Sequence, residues 1–219
     1  RDLLRQLGAL EEAAPSPSAH PLSTDVRRCG ESGGGTVDGA LRITPAGRRM
    51  LALGTHPRLA AMLLAAPDPV SRVLACDLAA LLEARDPLRS RSDALAARWR
   101  ALAAFRERRV PADASRSALA AIDAAARQWR RRLRVDAPPP GDLPAHALGD
   151  LLAHAFPDRI AARHASDLRR YQLANGRMLR LPDDSDLVGE PWLVATELRF
   201  EARGDALLLR AAPVDEAAL

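Results

Sequence analysis

The sequence predicts a mainly α chain, a helical bundle followed by a small, partial antiparallel β unit. Three observations carry this expectation. Apolar residues make up 47% of the 219 residues but aromatics only 3%, so the core must be Leu, Ala and Val, which suits packed helices better than a large sheet. Apolar positions recur three and four residues apart through most of the chain to about residue 134. Beyond a proline-rich connector the period falls to two, as in strands.

Leu3, Leu4, Leu7 and Leu10 predict a helix over residues 2–12. Residues 13–38 hold Pro15, Pro17, Pro21 and a triple glycine, follow no period, and read as a flexible insertion. The glycines lack both the Gly-Lys-Ser/Thr ending and the preceding strand of a phosphate-binding loop. Residues 41–66 read as strand, helix, break and helix. The Thr44 hydroxyl can cap the first helix, Pro45 fits the first helical position, and Gly54 ends it. Thr55 and Pro57 open the next, with Leu59, Met62 and Leu63 on its apolar side. Asp68 and Pro69 then start a helix reaching about Ala84 through Val70, Val73, Leu74, Leu78, Leu81 and Leu82. Two further helices are predicted at 93–108 (Leu95, Trp99, Leu102, Phe105) and 115–134 (Leu119, Ile122, Ala126, Trp129, Leu133). Both tryptophans lie on apolar seams and read as core.

The connector DAPPPGDLP, residues 136–144, is the strongest internal boundary. Two short helices are expected after it, at 145–155 and 157–164. YQLANGRMLRL reads as two strands around the Asn175-Gly176 turn, and WLVATELRF with ALLLRA as two more around Gly204-Asp205. A four-stranded sheet of this kind ends at Leu219 with an exposed edge, and the chain opens at Arg1 inside a helix. Both features lead to the expectation of a piece of a larger protein.

Every one of the 32 basic residues is arginine, the net charge is +4 and the pI about 10.2. GC-rich coding accounts for such usage, and guanidinium groups also suit phosphate recognition. The two cysteines, Cys29 and Cys76, have no Cys or His at metal-ligand spacing, which fits a reducing cytoplasm. No apolar run reaches the length of a membrane span. His146, Asp150 and His154 share a helical face, but no further ligand cluster supports a metal site. No nucleophile sits in a hydrolase motif, so no catalytic residue is assigned.

The basic residues are more informative. At 100° per residue, Arg127, Arg130, Arg131 and Arg134 fall within an arc of about 100° beside the apolar seam of their helix, while Arg132 points elsewhere. Four guanidinium groups on one stripe suit a nucleic-acid backbone; they would equally serve as a solvated basic face at a helix C-terminus. Arg48 and Arg49 on the Thr44-capped helix, and Arg177 and Arg180 on the first hairpin, are the other candidate contacts.

The order of segments carries a resemblance. LLRQLGAL and LRITPAGRRMLALGTHPRLAAMLLAA, then LACDLAALLEARDPLR, AFPDRIAARH, YQLANGRMLRLP and GEPWLVATEL, together resemble the C-terminal accessory region of DEAH-box ATP-dependent RNA helicases, above all the bacterial HrpB type. FPDRIA followed by LANGR and GEPWLV is the most specific part. The resemblance implies three modules: a winged-helix region over 1–55 with the insertion at about 13–38, a helicase-associated, ratchet-like bundle over 56–136, and the start of an OB-like domain over 137–219. It implies single-stranded nucleic acid, RNA foremost, and motor domains of the same chain as partners, with ATP and Mg as cofactors of the parent helicase and none in this stretch. Two departures stand out. The insertion replaces part of the wing, and no phosphate-binding loop, DEAH box or arginine finger is present, so these residues alone are not expected to hydrolyse ATP. The competing expectation is a non-catalytic helical module that docks a protein partner.

Overall fold

The computed structural model of the chain describes residues 1–12, 41–144, 146–200 and 204–219, so the insertion expected at 13–38, with Cys29, lies outside the described residues. Local chemistry sets the helix ends where the sequence placed them. Thr44 accepts a hydrogen bond from the Gly47 amide at 2.9 Å and donates one to the Gly8 carbonyl at 2.6 Å, while Pro45 opens α2 (Pro45–Leu53). Gly54 closes it in the left-handed region, at φ 56°. Asp68 caps α4 (Pro69–Glu83) by accepting from the Val70 and Ser71 amides at 2.9 and 3.0 Å. Between them runs α3 (Pro57–Ala65), and after them come α5 (Leu95–Arg106), α6 (Arg116–Leu133) and α7 (Ala147–Ala155).

The bundle is built around α4. Every residue from Val73 to Leu81 is buried, so this helix has no solvent face over its middle. It packs on α6, while α3 packs on α7. Trp99 and Trp129 are 3% and 9% exposed, as core residues should be.

Three readings need correction. The first helix stops early: α1 spans Asp2–Gln6, and Leu10–Glu12 forms β1, antiparallel to β2 (Leu41–Ile43) with Leu10 opposite Ile43. Residues 157–164 are not a helix. A 3-10 turn, Pro157–Arg159, leads into β3 (Ile160–His164). Finally, the chain is not mainly α with a partial sheet. Among the described residues 44% are helical and 21% strand, a mixed fold whose larger sheet closes on itself. β4 (Asp167–Leu173), β5 (Met178–Arg180), β6 (Trp192–Arg199) and β7 (Ala206–Pro213) join β3 in a closed barrel of order β3-β4-β5-β7-β6. All its pairs are antiparallel except β5 with β7. Closure removes the exposed edge that four strands would have left. The order is compatible with an OB-like barrel.

Tyr171, Leu179, Leu193 and Leu208 fill the barrel, and the Tyr171 hydroxyl donates to the Glu190 carbonyl at 2.8 Å. Barrel and bundle are joined tightly. Gly149 of α7 lies so close to β7 that an added Cβ would stand 1.9 Å from the Pro213 carbonyl oxygen. The Arg58 fork on α3 donates to both Asp158 oxygens, at 2.5 and 2.9 Å. Asp86 accepts from Arg98 at 2.7 Å and from Arg210 of β7 at 2.9 Å. The Asp93 carbonyl accepts the Ala211 amide at 2.9 Å, and its carboxylate accepts from the Ser185 hydroxyl and the Asp186 amide.

Candidate nucleic-acid interface

The basic stripe of α6 divides into two chemistries. Arg127, Arg131 and Arg134 are exposed, and with Arg130, Val135 and Asp136 they line a shallow hollow at the end of the helix. Arg134 caps the helix in the left-handed region at φ 53°, and the residues after it form one wall of the hollow. Arg127 reaches Asp123 at 3.0 Å across one helical turn. Arg130, inside the same arc, is only 14% exposed and donates to Asp77 at 2.7 Å. Asp77 is fully buried and also takes the Arg106 fork, at 2.7 and 2.8 Å; Arg106 donates its Nε to Asp123 at 2.8 Å. Burial alone would lower the Arg106 pKa, but its bonds to Asp77 and Asp123 raise it, so the guanidinium stays charged. Arg130 therefore serves the interior, tying α6 to α4.

Arg132 leaves the stripe as the helical geometry predicts. It lies over the Trp129 ring at 5.4 Å and donates to the Ala52 carbonyl at 3.4 Å. That contact brings the end of α6 against the end of α2, whose Arg48 and Arg49 are exposed. Glu83 strengthens the junction by accepting from the Thr55 hydroxyl at 3.0 Å and the Trp129 indole at 3.3 Å.

The barrel carries a second basic region. Register pairs share a face, and Arg170 is opposite Arg180, Arg180 opposite Leu207, and Leu207 opposite Arg199. Three arginines thus stand in one row across four strands, alternating with the inward Leu179 and Leu208. Arg170 is paired with Asp205 at 2.8 Å, and Arg180 approaches Asp183 at 3.8 Å. Arg177 sits apart from the row, at the hairpin turn, 5.2 Å from the centre of the Phe200 ring. The sequence reading missed the row because it needs the β5–β7 parallel pairing, which joins strands far apart in the chain. It also passed over Phe200, although an aromatic ending a strand before a glycine turn was visible in RFEARGD.

Nothing among the described residues resembles a catalytic centre. Among the described residues no group of three or more His, Cys, Asp or Glu is placed to hold a metal ion. Burial pushes the Cys76 thiol up to about 12, so it is protonated and unreactive at neutral pH. Among the described residues no helix is long and apolar enough to cross a membrane.

Comparison with known proteins sets the chain beside DEAH-type helicases. No family model matches it. It is 35% identical over 182 residues to the ATP-dependent RNA helicase HrpB of Escherichia coli strain K12, an alignment covering 83% of this chain and 20% of that protein. Two crystal structures of E. coli HrpB, one described as a DExH-box NTPase and one as a DEAH/RHA helicase, each match 98% of the chain. Their TM-scores are 0.65 and 0.63, at 32% and 30% identity. The resemblance read from the sequence is borne out: the chain corresponds to a HrpB-type helicase C-terminal region. It spans about a fifth of the length of these relatives.

Proposed function

We propose that this region is the accessory nucleic-acid-binding part of an ATP-dependent RNA helicase, guiding a single strand beside motor domains that belong to the same protein. The observation that carries the reading is the cluster of exposed guanidinium groups, Arg127, Arg131 and Arg134, around one hollow at the end of α6. Such groups hold phosphates without reading sequence. Arg48 and Arg49 extend the basic surface on α2, and Arg177 and Arg180 extend it on the barrel. In this reading the barrel is OB-like, residues 1–55, 56–136 and 137–219 are the three modules, and the setting is the cytoplasm. ATP and Mg serve the motor domains, and these residues supply grip rather than turnover.

A titration of labelled single-stranded RNA by anisotropy at several salt concentrations tests the reading. Replacing Arg127, Arg131 and Arg134 together by Ala is expected to weaken binding and to reduce the slope of log affinity against log salt by about 2, since each single-strand phosphate contact contributes roughly 0.7. An unchanged affinity and slope would overturn the assignment. If an acidic polypeptide competed with the strand only through the α6 arginines, the surface would be a protein-docking one instead.

A further inference from the structure

Phe200 is 55% exposed at the end of β6, while the tyrosine of the barrel and two tryptophans of the bundle are buried. It lies at the barrel end where two hairpins meet. One turns at Asn175-Gly176 and delivers Arg177; the other turns at Gly204, with φ 100°. The Arg177 guanidinium covers the ring at 5.2 Å from its centre. A cation against the π face holds the ring in a fixed plane, which lowers the entropic cost of a second stacking partner. Next to Phe200 in sequence, Arg199 enters the row that continues through Leu207 to Arg180 and Arg170. The barrel therefore carries an exposed ring one residue beyond the last arginine of that row. Phosphates alone do not call for such a ring, whereas a strand whose bases are unpaired does, because every base has a π face.

We infer that Phe200, backed by Arg177, stacks one nucleobase of a single-stranded nucleic acid whose phosphates follow the Arg180 and Arg199 row. The inference rests on the proposed function and adds to it a contact with a base. It makes the grip selective for unpaired strand over duplex, because a paired base has no face to offer.

The 219-residue chain is titrated with a short single-stranded oligonucleotide and with a matching strand that is abasic throughout. Phe200→Ala is expected to weaken binding of the normal strand by about tenfold, the scale of one base–aromatic stack. It should leave the abasic strand and the salt slope unchanged, and Phe200→Trp should restore the loss. Equal binding of the normal strand by Phe200→Ala and the parent chain overturns this inference and leaves the proposed function standing. Equal weakening of both strands makes the ring a structural element and also overturns it. Failure of the parent chain to bind either strand overturns both readings.

Discussion

At the scale of single residues, two arginines one position apart do opposite work. Arg131 is exposed, and Arg131→Ala should change stability by less than about 0.5 kcal/mol. Asp77 behaves differently, because it is the shared acceptor of Arg106 and Arg130 and has no solvent contact. Asp77→Ala would strand Arg130 and leave Arg106 with Asp123 alone, and should cost about 3–5 kcal/mol in a urea titration. A loss below about 1 kcal/mol would mean the two arginines find water or Asp123 instead. The helical wheel drew Arg127, Arg130, Arg131 and Arg134 into one arc, although Arg134 is the left-handed cap beyond the last turn of α6. It could not tell Arg130 from Arg131, because the carboxylate that separates them sits on α4, some fifty residues earlier. Only tertiary packing carries that information.

At the scale of elements, capping chemistry was legible and strand pairing was not. Thr44, Pro45, Gly54, Asp68 and Pro69 act within one turn of chain, so the helices they bound could be read directly. β3 was read as a helix because Ile160–His164 is short and rich in Ala and Arg, both good helix formers. Its extended form comes from partners on both sides, Ala161 pairing with Leu173 of β4 and Leu193 of β6. Once β3 is a strand, the barrel can close. The α7–β7 contact was invisible for the same reason: Gly149 is the point where backbone meets backbone, and its partner Pro213 lies more than sixty residues on. Gly149→Ala should therefore destabilise by about 1–3 kcal/mol even though Ala favours helix. A gain in melting temperature would show that α7 can move off β7.

At the scale of the whole molecule, the joint between bundle and barrel is set to fail in acid. Burial pushes the Asp86 carboxyl up, but bonds and charge from Arg98, the Leu88 amide and Arg210 outweigh it and hold its pKa below the usual value of 3.8. Asp158 follows the same pattern under Arg58. A carboxyl whose folded pKa is depressed binds its proton more weakly in the folded state than in the unfolded one. The stability it lends is present above about pH 4 and is lost as the pH falls through 3.8 and below. The urea midpoint should hold from pH 7 to 5 and drop steeply under pH 4. Asp86→Asn with Asp158→Asn should be weaker at neutral pH and flatter in acid; an equally steep drop in that variant would assign the acid sensitivity elsewhere. The joint also sets an order of events. The apolar core of the helices is completed by Val194, Ala212 and Val214, which arrive last. At roughly 5–20 residues per second, the sixty or so residues from Ala153 to Val214 take about 3–12 s to synthesise. For those seconds a nascent bundle presents an uncovered wall of alanine and leucine, a natural station for a chaperone that binds apolar surface before the barrel seals it.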